Sequence, residues 1–284
     1  MSRPDSPAIT TLKNMAALFN GKTLTDNTNV WRIAPQISDS FIEKLKVKWA
    51  EVRTTALPKE FHSKNKKREA LNDISFTIDG IEIFPKIYTR NDYKHALLHS
   101  FFFSEARRNF STMCYLMQNN IPTTEPLALL SGNRLHPGTE TVLFTRKLEE
   151  TDIYFYDFLE MLHDFTQEKR NAFFILFGQK MAELHNLGIY TEDTDKNISV
   201  RPKGDTYDLH FYDFDNFYPW RFMNLKRSKH GVLHSLFCTR YDASLEESKI
   251  FIEAYLIVRQ RPDLKEALLE SVTDFIAAGG SKNK

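Results

Sequence analysis

The order of strand-like and helix-like segments constrains the fold of this 284-residue chain more than any other feature. Before Leu148, runs rich in β-branched and aromatic residues surround one long helical segment, residues 93–120. After Leu148 the segments are mostly helical, apart from two short strand-like runs within residues 197–214. One predicted helix ends where Gly188 can form its C-terminal cap, and another spans roughly residues 217–229. Strands followed by helices are typical of α+β folds. We therefore predict an α+β chain with a small β-rich N-terminal lobe and a helical C-terminal lobe.

The change in pattern also suggests domain boundaries. We assign residues 1–70 to an N-terminal extension, residues 71–150 to the β-rich lobe and residues 151–284 to the helical lobe. The first thirty or so residues of the extension are polar and predict a loosely ordered lead-in. The extension also contains a predicted helix, residues 38–52, that Ser38 or Ser40 caps. Its apolar stripe consists of Phe41, Leu45, Trp49 and Val52.

Asp79-Gly80 separates two β-rich runs, "ISFTI" and "IEIFPKIYT". Both residues tolerate a positive φ, so this dipeptide predicts a hairpin turn. Pro85 lacks a backbone N–H, which indicates an edge or a bulge in the second run.

Composition excludes several classes of function. The formal net charge is +1, from 38 basic and 37 acidic residues, and gives no general attraction to nucleic acid. The two cysteines cannot form a disulfide framework or a cysteine-based metal site, as expected in a reducing compartment. No apolar run approaches the roughly 20 residues that span a bilayer. With an N-terminus too polar for a signal peptide, the sequence predicts a cytoplasmic protein.

Acidic and amide residues cluster around the predicted C-terminal hairpin. Asp193 lies in the loop before its first strand, Asn197 follows just beyond that loop, and Asp213 and Asp215 lie at the end of the second strand. Phosphoryl transfer needs a carboxylate to orient or deprotonate the attacking hydroxyl, and oxygen ligands to hold Mg²⁺ against nucleotide phosphates. Asp213 shares strand parity with the apolar Leu209 and Phe211, so we expect its side chain to point inward.

The same chemistry needs a fixed lysine to neutralise phosphate charge, and Lys86 in "FPKIY" is the candidate. Each residue alone has a structural explanation: acids and asparagines in loops are usually turn or cap residues, and a strand lysine often faces solvent. Their joint occurrence in this order favours a site.

Five segments in this order resemble the lipopolysaccharide kinases, a family of the protein-kinase-like superfamily that phosphorylates Kdo and inner-core heptose. They are "PKIY", "SEARRNF…LMQNNIPTTEPLAL", "TRKLEETDIYFYDFL", "MAELHNLGIYTEDTDKNISV" and "FYDFDNFY". The resemblance covers about residues 72–258. It implies a bilobal kinase-like fold with ATP and Mg²⁺ as cofactors, and a hinge at "KLEETDIYF".

The resemblance also implies a role for each site residue. Lys86 corresponds to the phosphate-contacting lysine, and we expect it to face Asp213 across the cleft between the lobes. Asp193 corresponds to the catalytic aspartate. Asn197 and Asp213 correspond to the metal ligands, and Asp215 of "DFD" to a residue that assists them.

Three departures from the family pattern bear on activity. Thr191-Glu192-Asp193 replaces the usual His-Gly-Asp or His-Arg-Asp, and the interval from Asp193 to Asn197 is one residue shorter than usual. A second register places Glu192 in the catalytic position. Asn109 occupies the position of the lysine's glutamate partner, and Glu105, one helical turn earlier, is the candidate substitute.

The leading hypothesis is ATP-dependent phosphorylation of a Kdo or heptose hydroxyl of the lipopolysaccharide inner core. The implied partner is a core sugar or similar glycolipid at the inner face of the inner membrane. Lys226, Arg227 and Lys229 are candidates for peripheral contact with it. Two alternatives remain open: a pseudokinase binding module with a degenerate catalytic loop, and a soluble small-molecule kinase of the aminoglycoside or choline type. The sequence carries no signal for an oligomeric state.

Overall fold

The computed structural model describes residues 21–26, 29–55, 74–89, 104–132, 140–189, 197–204, 206–214, 224–238 and 241–279. Within these ranges, the residues up to 119 and those from 123 to 148 form an N-terminal unit. Residues 120–122 and those from 149 onward form a C-terminal unit. The first unit is built on a β-sheet and the second is mainly helical, so the predicted α+β class is confirmed.

One antiparallel sheet organises the N-terminal unit. Its described strands follow the spatial order β1-β2-β5-β6-β4-β3. They are β1 (Lys22–Asp26), β2 (Asn29–Ile33), β3 (Phe76–Ile78), β4 (Ile81–Thr89), β5 (Pro126–Ser131) and β6 (Glu140–Arg146). In the described part of this unit the sheet is accompanied by the helices α1 (Asp39–Thr55) and α2 (Glu105–Gln118).

Helix α1 forms as predicted. The Ser38 hydroxyl accepts a hydrogen bond from the Phe41 amide at 3.2 Å, and so caps the helix start. The apolar stripe of α1 is buried in a core with the sheet, where Trp49 lies edge-on to Phe144 with ring centroids 5.2 Å apart. Trp31 of β2 stacks on the same Phe144 ring. Burial of this apolar stripe fixes α1 against the sheet.

The Asp79-Gly80 turn is also confirmed, with φ angles of +50° and +78°. It joins β3 to β4, and β3 pairs with residues Ile81–Ile83 of β4. From there to Thr89, β6 is the only strand that pairs with β4 among the described residues, so Pro85 lies in an edge segment as predicted.

Residues 22–26 and 29–33 differ from the expected loose lead-in. They form β1 and β2, and β2 pairs with β5, so part of the predicted extension belongs to the sheet. The polar sequence of β1 has no apolar alternation because most of its side chains are exposed. β2 is held in the sheet by the buried side chains of Trp31 and Ile33. Two apolar residues are too few to predict a strand from the sequence.

The C-terminal unit contains a helical bundle and small antiparallel sheets. Its helices are α3 (Phe155–Met161), α4 (Gln167–Asn186), α5 (Leu225–Leu236), α6 (Leu245–Arg259) and α7 (Lys265–Ala277). One sheet has the order β7-β8-β9, and a second pairs β10 with β11. These strands are β7 (Ile153–Tyr154), β8 (Ile198–Lys203), β9 (Thr206–Phe211), β10 (Phe237–Cys238) and β11 (Tyr241–Asp242). Short 3₁₀ turns span Leu162–Asp164 and Pro262–Leu264.

Helix α4 packs closely against α6. A Cβ atom built on Gly178 would lie 2.4 Å from the Phe251 carbonyl oxygen, so only glycine allows this approach. The predicted cap at Gly188 is present: its φ is +76°, and the Ile189 amide donates back to the Leu184 carbonyl at 3.0 Å. This turn ends α4.

Two predicted helices are described only in part. The segment 93–120 is helical over Glu105–Gln118, and residues 90–103 lie outside the described ranges. The segment 217–229 is described from Asn224, which caps α5 by accepting from the Arg227 amide at 2.9 Å.

Candidate functional site

The β8–β9 hairpin brings Asn197 and Asp213 together. Ile198 pairs with Phe211, so the residues just beyond this pair lie side by side. The side-chain amide nitrogen of Asn197 donates to the Asp213 backbone carbonyl at 3.0 Å. The Tyr212 amide donates to the Asn197 carbonyl at 2.9 Å. Because the nitrogen of the Asn197 amide binds backbone, its oxygen is the atom suited to bind a cation.

Asp213 has an uncommon backbone conformation, with φ of +60°. Such left-handed residues cost about 1–2 kcal/mol unless they are glycine, and aspartate and asparagine tolerate the conformation best. Neighbouring contacts hold the segment in place: Phe214 is buried, and the Phe211 amide donates to the Pro122 carbonyl at 3.1 Å. The strained residue is therefore fixed by its surroundings.

The prediction that the Asp213 side chain points inward assumed that the strand of Leu209 and Phe211 continues through Asp213, and this assumption is wrong. β9 ends at Phe211, and the backbone turns left-handed two residues later, so strand alternation no longer sets the direction of the Asp213 side chain. Leu209 and Phe211 are buried as expected, whereas Asp213 is only half-buried.

The Asn197–Asp213 pair fits a magnesium ion by its donor chemistry. Mg²⁺ prefers hard oxygen ligands and usually takes one or two protein groups, with water and phosphate oxygens completing its shell. Asn197 and Asp213 offer one amide oxygen and one carboxylate. The described residues hold no group of three or more His, Cys, Asp or Glu side chains suited to a metal, and a magnesium–nucleotide site does not require one.

A charged cluster fixes the segment before β7 to the same hairpin. The Arg201 guanidinium donates to both carboxylate oxygens of Asp152, at 2.7 and 2.9 Å, and contacts Glu149 at 3.0 Å. Burial alone would raise the pKa of Asp152, but the hydrogen bonds and charge of Arg201 outweigh it and lower that pKa. Burial and the same guanidinium lower the pKa of His210. Within the predicted hinge region, Glu149 and Asp152 are thus held to the β8–β9 hairpin by Arg201.

In the N-terminal unit, Lys86 lies on β4 opposite Leu143 of β6 and is half-buried. Its ammonium group is 5.1 Å from the centroid of the Tyr88 ring. The Tyr88 hydroxyl accepts a hydrogen bond of 3.0 Å from the side-chain amide of Asn109, which is 2% exposed in α2. The α2 residue that contacts the lysine-bearing strand in this way is therefore Asn109.

Glu105 is the first residue of α2 and its side chain is exposed. Between these two described residues, Glu105 and Lys86, the structure forms no ion pair. Partnership between them stays a prediction for the nucleotide-bound protein.

Two of the predicted site residues, Asp193 and Asp215, lie outside the described ranges, as does Glu192. Their assigned roles remain predictions. Conversely, the sequence did not identify Tyr88, Arg201 or Asp152 as site residues, and the structure shows their contacts. The signal available for Tyr88 was its spacing of two from Lys86, which places both on one face of a strand.

Comparisons with known proteins found one kind of similarity. No protein-family model matches the sequence, and no curated protein matches it. Among solved structures, the chain is similar to WaaP in complex with acyl carrier protein, with 13% identity and a TM-score of 0.47. That alignment covers 96% of this chain and 97% of the other.

The basic residues singled out in the sequence lie at the start of α5. Lys226 is exposed, and Arg227 and Lys229 are half-buried. Within the part of the chain that the structure describes, no helix has the length and apolar character to cross a bilayer.

Proposed function

We propose that this protein is an ATP- and Mg²⁺-dependent phosphotransferase that phosphorylates a Kdo or heptose hydroxyl of the lipopolysaccharide inner core. The observation that carries the proposal is the Asn197–Asp213 pair. These two residues have oxygen-bearing side chains, and although they are 16 apart in sequence, a hydrogen bond from the Asn197 side chain to the Asp213 backbone holds them together at the end of a hairpin. Strained, hydrogen-bonded polar pairs of this kind concentrate at functional sites.

Each residue has a defined task in this proposal. Mg²⁺ bound with ATP supplies charge neutralisation on the phosphates. The amide oxygen of Asn197 and the carboxylate of Asp213 hold the ion, and Asp215 assists. Lys86 binds phosphate oxygens through its positive charge. The Asp193 carboxylate orients the acceptor hydroxyl and accepts its proton.

The acceptor class rests on the sequence resemblance described above. Lys226 is exposed at the start of α5, in a segment with two further cations and no acidic residue in its first turn. This segment suits an anionic glycolipid at the cytoplasmic face of the inner membrane. We propose peripheral contact there through these side chains.

Calorimetric titration with ATP, with and without Mg²⁺, tests the metal pair. Asp213→Asn should weaken Mg²⁺-dependent nucleotide binding, because the ion loses a charged ligand while asparagine still tolerates the left-handed backbone. Asp208→Asn is the matched control: the same change on the same hairpin, at a residue that forms an ion pair with Lys203 near the hairpin turn. Equal binding by Asp213→Asn and the wild type would remove the basis of the proposal.

Turnover on sugar acceptors tests the catalytic assignment. Asp193→Asn should leave nucleotide binding nearly intact and reduce turnover by about 100-fold or more, the usual scale for a positioned base. Glu192→Gln should have little effect. The opposite pattern would mean that the register with Glu192 in the catalytic position is correct.

A pseudokinase module is the second candidate, favoured because Asn109, at the position expected for a glutamate, contacts the lysine-bearing strand through Tyr88. Nucleotide binding without turnover on any acceptor would support it. Turnover on soluble alcohols but not on core sugars would instead identify a small-molecule kinase.

A further inference from the structure

Lys86 and Tyr88 project from the same face of β4, because they are two residues apart on one strand. The ammonium lies 5.1 Å from the ring centroid, within the roughly 6 Å over which a cation is attracted to an aromatic face. The cation–π contact limits the directions that the flexible lysine side chain explores.

The far end of the Tyr88 ring is also fixed. Its hydroxyl accepts from the Asn109 amide at 3.0 Å, and Asn109 is buried in the second turn of α2. That helix has a defined start, where the Ser104 hydroxyl accepts from the Arg107 amide. Two successive contacts, Asn109 with Tyr88 and Tyr88 with Lys86, therefore link helix α2 to the ammonium group within one unit.

We propose that Tyr88, held by Asn109, is the positioning residue for Lys86 in binding nucleotide phosphate. The inference rests on the proposed function for the identity of the ligand, but not for the existence of the contact. It gives α2 a means of orienting the lysine that needs no carboxylate.

Positioning by a ring differs physically from positioning by a carboxylate. A carboxylate accepts hydrogen bonds from the ammonium and cancels its charge at short range. A ring face attracts the cation through its quadrupole and takes no conventional hydrogen bond. The contact with Tyr88 can therefore orient the ammonium without using one of its hydrogen-bond donors.

The first arm of the test measures the contact itself in the protein without nucleotide. Protons above an aromatic ring resonate upfield, so the ε-methylene signals of Lys86 should be shifted upfield in a carbon–proton correlation spectrum, with Lys86→Met used for assignment. Tyr88→Leu should abolish the shift. Tyr88→Phe, which keeps the ring and loses the anchor, should retain part of it, and Asn109→Leu should behave like Tyr88→Phe.

The second arm measures binding of MgATP and of adenosine by calorimetry. Tyr88→Leu should weaken MgATP binding about 5-fold, in keeping with the strength of a half-buried cation–π contact, and leave adenosine binding unchanged. Tyr88→Phe should restore most of the affinity. In a Lys86→Met background, Tyr88→Leu should have no further effect on MgATP, because it acts through the lysine.

The two arms separate failure of the inference from failure of the proposed function. Lys86 signals that are not shifted upfield, or that ignore Tyr88→Leu, overturn the contact whatever the protein binds. An equal loss of MgATP and adenosine affinity overturns the phosphate-positioning role and assigns Tyr88 a general structural one. A responsive lysine signal with no MgATP binding by the wild-type protein overturns the proposed function and the phosphate role together.

Discussion

Replacing Gly178 with alanine tests the packing that supports the C-terminal unit. The added methyl carbon would lie 2.4 Å from the Phe251 carbonyl oxygen and 3.2 Å from both the Phe251 carbonyl carbon and the Tyr255 nitrogen. All three are backbone atoms of α6, so no side chain can rotate away. The two helices must separate, and buried contacts on both sides of the crossing are lost.

The expected cost follows from two opposing contributions. Alanine is favoured over glycine inside a helix by about 1 kcal/mol, whereas overpacking a rigid core typically costs about 1–3 kcal/mol. Because the contact is with backbone, we take the upper end of that range. Gly178→Ala should therefore destabilise the unit by about 2 kcal/mol, which corresponds to a fall in Tm of about 4–8 °C.

Scanning calorimetry and urea unfolding measure this change, and Ala172→Gly is the control. Ala172 is exposed on the same helix, so its replacement reports the helix-propensity contribution without a clash. It should lower stability by about 1 kcal/mol or less. A Gly178→Ala protein as stable as the wild type, beside a destabilised Ala172→Gly protein, would refute the close approach of α4 and α6.

Three further outcomes are expected. His185 is buried against the Tyr255 hydroxyl at 2.7 Å, and burial, with the charge of Arg259, lowers its pKa to about 3. Stability should be complete above about pH 6.5 and fall by up to about 1.4 kcal/mol per unit as pH decreases toward 3, because the unfolded chain binds the proton more tightly. Urea titrations at several pH values should show a flatter dependence for His185→Gln. Asp152→Asn should destabilise the protein by about 3 kcal/mol at pH 7, because Arg201 loses its buried partner, and the deficit in urea unfolding should shrink at acid pH, where the wild-type carboxylate is also protonated. Glu105→Gln should reduce MgATP affinity and turnover if that carboxylate joins the site on nucleotide binding, and unchanged calorimetry and kinetics would exclude this role.

The sequence predicted those elements that are stabilised by residues close to one another in the chain. The stripe of α1, the Asp79-Gly80 turn and the cap at Gly188 each depend on residues within a few positions of one another, and all are present. β1 and β2 escaped prediction because β2 is stabilised by pairing with β5, about 100 residues later in the chain, and β1 in turn pairs with β2. Such pairing leaves little trace in a five-residue polar strand.

In the candidate site, too, features fixed by nearby residues could be predicted and features fixed by distant packing could not. The adjacency of Asn197 and Asp213 could be anticipated because a tight hairpin fixes its own register. The direction of Asp213 could not, since its left-handed turn interrupts the alternation. The contact of Asn109 with Tyr88 joins residues 21 apart on a helix and a strand, and only the packing of α2 reveals it.

The positive φ of Asp213 implies that the residue best for folding stability at this position differs from the residue needed for the proposed reaction. Glycine would adopt the same backbone shape without strain and could make the folded protein more stable by up to about 1 kcal/mol. It would also delete the carboxylate. A library selected for heat resistance alone should therefore enrich glycine at position 213, whereas one selected for phosphate transfer should retain aspartate. Divergence between the two selections would identify this residue as one that the chain keeps for its reaction at the expense of its fold.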